Sequence, residues 1–173
     1  SRNKDNKHIT DFVERRKAFV TSRTANELWS SFNAFVKEGK PGEFSRMYYS
    51  VNARCNNKTQ KALLYKLIDE NYNMSTLPQR VAALAAKKEN AKYTKHLKWL
   101  FDFDEKKELI PEFISDIKNE SNLTDEEIEF SETVTGFAVV VKHGFDTRNL
   151  LKKWKNVELK RDDMLLVDFL KNI

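Results

Sequence analysis

Leu97-Lys98-Trp99-Leu100-Phe101-Asp102-Phe103-Asp104 is the stretch on which the fold turns. Eight residues dense in aromatic and branched side chains, ending in acids, read as a strand. Residues 106–119 then carry Leu109, Phe113 and Ile117 four apart, the spacing of one helix face. Residues 127–134 alternate as a second strand, Thr135-Gly136 makes a turn, and residues 137–142 return as its partner. Asp146 is placed to cap a helix running to about residue 154, and residues 157–160 and 164–169 read as a hairpin around Arg161-Asp162-Asp163. The order is β-α-β-β-α-β with one extra strand. It predicts an α+β fold, a ferredoxin-like or RRM-like sandwich with its helices on one face of an antiparallel sheet.

Upstream of this unit the pattern is more helical. Residues 44–54 alternate as an aromatic strand, and residues 58–70 read as a helix burying Ala62, Leu63, Leu64, Leu67 and Ile68. A further helix over residues 77–89 runs through Val81, Leu84 and Ala85. The first segment reads as two helices, one with Phe12, Val13, Arg16, Phe19 and Val20 on a face, the other with Leu28, Phe32, Phe35 and Val36. Thr24-Ala25-Asn26-Glu27 has the form of a capping box, and Gly39-Lys40-Pro41-Gly42 stops the second helix. The phenylalanines at 12, 19, 32 and 35 are expected in the core, and Trp29, Trp99 and Trp154 in packing roles. The expected division is a helical N-terminal extension over residues 1–43 and an α+β domain over 44–173. Within the latter, residues 44–96 form an accessory unit and 97–173 a palm core.

At 173 residues, 40% hydrophobic and 33% charged, the chain suits one domain with a substantial core rather than disorder. Its net charge of +5 conceals an asymmetry: residues 1–100 hold 20 basic and 9 acidic side chains, residues 101–173 hold 11 and 17. Such a division suits one surface for anions and another for cations. Cys55 is the single cysteine, which excludes an intrachain disulfide and a cysteine-based zinc site. It has no neighbouring histidine in sequence to activate it as a nucleophile. No apolar run approaches the roughly 20 residues of a membrane span, so no membrane partner is expected. Asn57, Asn73, Asn119 and Asn122 begin Asn-x-Ser/Thr triplets, read as chance in an Asn-rich chain. Ser1-Arg2-Asn3-Lys4-Asp5 has no apolar signal core, and a reducing cytoplasm is the expected setting.

Asp102-Phe103-Asp104 is the sharpest chemical signal. On a strand the two carboxylates share a face about 7 Å apart, while Phe103 points to the helices. Such a pair at a strand end suits one or two divalent ions, Mg²⁺ or Mn²⁺, holding a triphosphate for in-line attack. The alternative is a solvated strand end leading into Glu105 and the next helix.

Trp99-Leu100-Phe101-Asp102-Phe103-Asp104 resembles the first acidic motif of the archaeo-eukaryotic primase (primase-polymerase) superfamily. Residues 132–142 (ETVTGFAVVVK) are similar to that superfamily's Thr-x-x-Gly-aromatic-His-hydrophobic hairpin, Phe145-Asp146-Thr147-Arg148 to the Phe-Asp that closes it, and residues 157–167 to its final hairpin. The resemblance spans about residues 97–170 and implies a palm with Asp102 and Asp104 as metal-binding catalytic acids. Asp168 is the candidate for the family's third acid by order in the chain, with Asp162 and Asp163 as turn residues that could equally be structural. It also implies a role in DNA replication or repair, a replication-protein partner, and an origin in a phage or plasmid, hence the cytoplasm of a bacterial host. Ala138 stands where the family carries a histidine that contacts the nucleotide's phosphates. His143 lies five residues on, an odd offset that turns it to the other strand face; with Lys142 it completes the candidate nucleotide contacts.

Arg46 and Arg54, an even spacing apart on the expected first strand, are candidate phosphate contacts, with Tyr48 and Tyr49 between them as stacking platforms. Lys58, Lys61 and Lys66 follow on a helix, and Lys87, Lys88, Lys92, Lys95 and Lys98 make a second cluster. Three classes of function fit: a metal-dependent nucleotidyltransferase, a primase-like domain that binds nucleic acid or a nucleoside triphosphate without turnover, and an interaction protein presenting its acidic half.

Overall fold

The computed structural model describes residues 1–69, 74–93 and 95–173; Glu70, the expected end of the helix over residues 58–70, and Asn73 lie outside the described residues. The architecture is mixed α and β. In chain order it comprises α1 (Ala25–Lys37), β1 (Phe44–Ser50), α2 (Asn56–Asp69), α3 (Leu77–Ala85), β2 (Trp99–Phe103), α4 (Ile110–Glu120), β3 (Ile128–Glu132), β4 (Phe137–Val141), α5 (Arg148–Lys153), β5 (Val157–Lys160) and β6 (Met164–Lys171). Two compact units result. One holds Ser1–Tyr49, Arg54–Lys92 and Val167–Ile173; the other holds Ser50–Ala53 and Tyr93–Leu166. No described helix is long and apolar enough to cross a membrane.

The second unit is built on a four-stranded sheet in the order β3-β4-β2-β5, every neighbouring pair antiparallel. Alternation along β2 sends Phe101 and Phe103 to one face. There they pack with Phe113 and Ile117 of α4, Leu150 of α5, and Trp154. These side chains are fully or almost fully buried, and the Trp154 indole N–H donates to Asp116 at 2.7 Å. Helix α4 forms where the spacing predicts, with Pro111 in its first turn, where a missing N–H costs nothing. On the other face Leu100, Ala138 and Val140 form a smaller cluster, with Val51 and Leu165 packed against it.

Gly144 is required by a close approach. A Cβ there would stand 2.1 Å from Cζ2 of Trp99, whose ring is stacked on Phe145 at 6.3 Å and lies 4.9 Å beneath the Arg161 guanidinium. Gly144→Ala is expected to cost about 1–3 kcal/mol, because the ring must leave both partners. A urea titration with unchanged slope and a lowered midpoint would register it; an unchanged midpoint would refute the packing argument.

Three expectations are corrected here. The hairpin expected over residues 157–169 does not form, because β5 pairs with β2 whereas β6 pairs with β1. The intervening turn is held by the residues after β1 instead: Asp162 accepts from Asn52 Nδ2 at 3.0 Å, and the Asp163 carbonyl accepts from the Val51 amide at 2.9 Å. The first expected helix is absent, and residues 12–22 run without regular structure. Carbonyls flanking this stretch accept from distant side chains. Lys40 Nζ donates to Thr10 and Asp11 at 3.1 and 2.8 Å, and Tyr49 Oη donates to Arg23 at 2.7 Å. Val13 and Phe19 are accordingly exposed, Phe12 and Phe35 are half-buried, and only Phe32 of the four phenylalanines reaches the core.

The third correction concerns α2, whose expected buried face is turned outward. Leu64, Leu67 and Ile68 are exposed, while Thr59 is buried and Ala62 and Leu63 are half-buried. Apolar residues occupy both faces of this helix, so their period does not select the inner one. Trp29 on α1 is likewise about half exposed rather than packed. The second helix of the N-terminal segment does form. Thr24 Oγ1 accepts from the Glu27 amide while Glu27 accepts from the Thr24 amide, and Leu28, Phe32 and Val36 are buried.

Candidate functional site

The first unit brings together two basic stretches that are about thirty residues apart in sequence. Arg54 forms a β-bridge with Ala91, the Cys55 amide donates to the Asn90 carbonyl at 2.8 Å, and Lys58 Nζ donates to the Ala91 carbonyl at 2.9 Å. The start of α2, with Lys58 and Lys61, is thereby held beside the Lys88–Asn90 turn, with Lys87, Lys88 and Lys92. Lys61, Lys87, Lys88 and Lys92 are exposed, and the acid among them, Glu89, lies 3.9 Å from Lys87. No acid occupies the first turn of α2. The unit as a whole carries 19 basic and 10 acidic residues, whereas the second unit carries 12 and 16.

Arg46 is placed differently from its sequence-based expectation. It lies on β1 but is ion-paired with Asp5 and donates to Tyr48 Oη at 3.4 Å. Arg54 lies beyond the end of β1, so the two arginines do not share a strand. Tyr48 is covered by the Arg2 guanidinium at 5.2 Å, and Tyr49 is tied to Arg23, so both tyrosines have structural partners.

In the second unit, the β2 register sets Asp102 opposite Ala138 on β4 and opposite Glu158 on β5. These three side chains share the sheet face away from α4 and α5. The Lys160 ammonium reaches Asp102 Oδ2 at 2.6 Å and Glu158 Oε2 at 3.7 Å. Burial works against the charge on Lys160, but the Asp102 hydrogen bond and the Asp102, Glu158 and Asp163 charges outweigh it and raise its pKa above the ordinary value. Asp104 lies past the end of β2, where its Oδ1 is 3.0 Å from the Cβ position of Gly136 in the β3–β4 turn. It lines a shallow open cleft with Lys155, Asn156, Val157 and Glu158. Among the described residues no three His, Cys, Asp or Glu side chains are grouped to hold a metal ion.

The other candidates serve neighbours. Asp168 lies on β6, a strand of the two-stranded sheet, and its Oδ1 accepts from the Phe169 amide at 2.8 Å. Lys142 Nζ donates to Glu127 at 2.9 Å, and this bond, with the Thr124 amide, holds the Glu127 carboxyl below its usual range. His143 Nδ1 is 3.1 Å from the Gly144 carbonyl, and its ring meets His96 edge-on at 6.4 Å. Glu158 was missed by sequence reading, because its place beside Asp102 is set by strand pairing and not by spacing. Compared with known protein families, with curated proteins and with solved structures, the chain finds no match.

Proposed function

We propose that this chain binds nucleic acid through the basic surface where α2 meets the Lys88–Asn90 turn. The observation that carries this reading is the joining of Arg54, Lys58 and Lys61 to Lys87, Lys88 and Lys92 by the Arg54–Ala91 bridge. Clustered lysines and arginines neutralise backbone phosphates and release their counterions, a term independent of base sequence. The second unit is read as a ferredoxin-like sandwich of the palm type, divergent from the primase-polymerase superfamily. Its β-α-β-β-α-β order, the strand order β3-β4-β2-β5, and Asp102 on the first strand facing Ala138 on the third support that reading. Nucleotidyl transfer is the second reading, favoured by Asp102 and Asp104 at the end of β2. As placed, however, these acids do not make a two-ion site: one holds an ammonium and the other lies beside the β3–β4 turn.

Fluorescence anisotropy with labelled 20-mers, single-stranded and duplex, tests the binding. Affinity is expected to fall steeply with salt, and Lys61→Gln with Lys88→Gln to flatten the log–log slope by about 1.4–1.8, the contribution of two phosphate contacts. Asp102→Asn is expected to leave binding unchanged. Absence of binding at about 50 mM salt, or a slope indifferent to the two lysines, would refute the proposal.

A further inference from the structure

We propose that Lys160 is the resident counter-cation of a carboxylate pair, Asp102 and Glu158, and stands where the primase-like resemblance calls for a divalent ion. The pair is created by the sheet. Asp102 and Glu158 are direct partners across β2 and β5, on one face. Directly opposite cross-strand residues hold their Cβ atoms about 4.5–5.5 Å apart, and like charges so placed repel. A cation between them removes that repulsion, and the chain supplies one from the same sheet. Lys160 is partnered with Leu100, one same-face step along β2 from Asp102, so its stem reaches diagonally to the pair. Side-chain exposures of 32% at Asp102 and 27% at Lys160 leave this contact only partly hydrated, which strengthens it relative to an exposed surface pair.

A divalent ion entering here must displace a tethered ammonium. It must also leave that ammonium beside a double positive charge, on a face otherwise lined by Leu100, Ala138 and Val140, with Asp163 the one further acid whose charge acts on it. The carboxylate that completes the Asp102 site is therefore Glu158 rather than Asp104. The wild-type face carries a closed ion triad instead of a metal centre. This inference is independent of nucleic-acid binding by the first unit and stands or falls separately from it.

Mn²⁺ titration, followed by the loss of the free-ion electron paramagnetic resonance signal, tests it on the full chain. Wild type and Lys160→Arg are expected to show no saturable Mn²⁺ site up to about 1 mM. Lys160→Met is expected to gain one. That site should disappear in Lys160→Met combined with Asp102→Asn or with Glu158→Gln, and survive Lys160→Met with Asp104→Asn. A thermal double-mutant cycle covers the case in which Lys160→Met folds poorly. Asp102→Asn is expected to lower the melting temperature in the wild-type background and to raise it in the Lys160→Met background. A wild-type Mn²⁺ site abolished by Asp102→Asn would overturn the proposal. So would a folded Lys160→Met that gains no site, or additive melting shifts.

Discussion

Phe113→Ala is expected to destabilise the protein by about 3–5 kcal/mol, the range for deleting a buried phenylalanine ring. Phe113 is fully buried between α4 and the sheet. Its ring meets Phe103 at 5.0 Å, Trp154 at 5.4 Å and Phe101 at 5.7 Å, the last two edge-on. Each such pair adds roughly 0.5–1.5 kcal/mol beyond burial, and three are lost together. The hole left behind is walled by β2 on one side and by Leu150 and Ile117 on the other. Those walls belong to regular elements and collapse poorly. Urea unfolding followed by Trp fluorescence and far-ultraviolet circular dichroism is the measurement. A loss below about 1 kcal/mol would mean that this aromatic cluster is not the centre of the second unit.

Arg15→Met is expected to cost about 3–5 kcal/mol at pH 7, because it strands a buried carboxylate. Glu43 is 1% exposed and accepts from Arg15 Nε at 3.0 Å, Arg15 Nη2 at 2.7 Å and the Lys40 amide at 2.9 Å. Arg15 also donates to the Phe35 carbonyl and lies 4.4 Å over its ring, which pins residues 12–22 without a helix. Burial pushes the Glu43 carboxyl up, but the Arg15 and Lys40 hydrogen bonds and the Arg15 charge outweigh it and hold it below its ordinary 4.5. A folded pKa below the unfolded one contributes stability that is present above about pH 4.5 and lost as pH falls through the folded value. In Arg15→Met the effect of burial is unopposed by that partner, so Glu43 takes up its proton more readily. The penalty is then expected to shrink from pH 7 to pH 4. A penalty equal at both pH values would show that Glu43 does not titrate against Arg15. Gly39 belongs to the same cluster, since a Cβ there would stand 2.5 Å from Arg15 Nη2 and 2.6 Å from Glu43 Oε2.

Much of the second unit was legible from local signals. The run at residues 97–104, the four-residue spacing of Leu109, Phe113 and Ile117, and the turn at Thr135-Gly136 each place an element within a few residues of its observed bounds. Residues 10–23 were not legible. Their apolar spacing is helical, yet Lys40, Tyr49 and Glu43 capture the carbonyls and the arginine from far along the chain. Tertiary hydrogen bonds outweigh a propensity amounting to tenths of a kcal/mol per residue. Helix α2 shows a different limit, since a helix apolar on both faces carries no phase from which to choose the buried one.

Alternation and turn chemistry were enough to expect Phe103 toward the helices and Asp102 on the other face, because strand period and turn preference act between near neighbours. Composition alone established the unequal charge of the two halves. Only the folded chain decided that Glu158 sits across from Asp102 with Lys160 bridging them, and that β6 leaves β5 to pair with β1. It likewise decided that Arg54 meets Ala91 and joins two lysine clusters into one surface. Those pairings depend on strand register and on which loops can close, and no spacing within a single stretch encodes which distant partner a strand edge or a lysine will find.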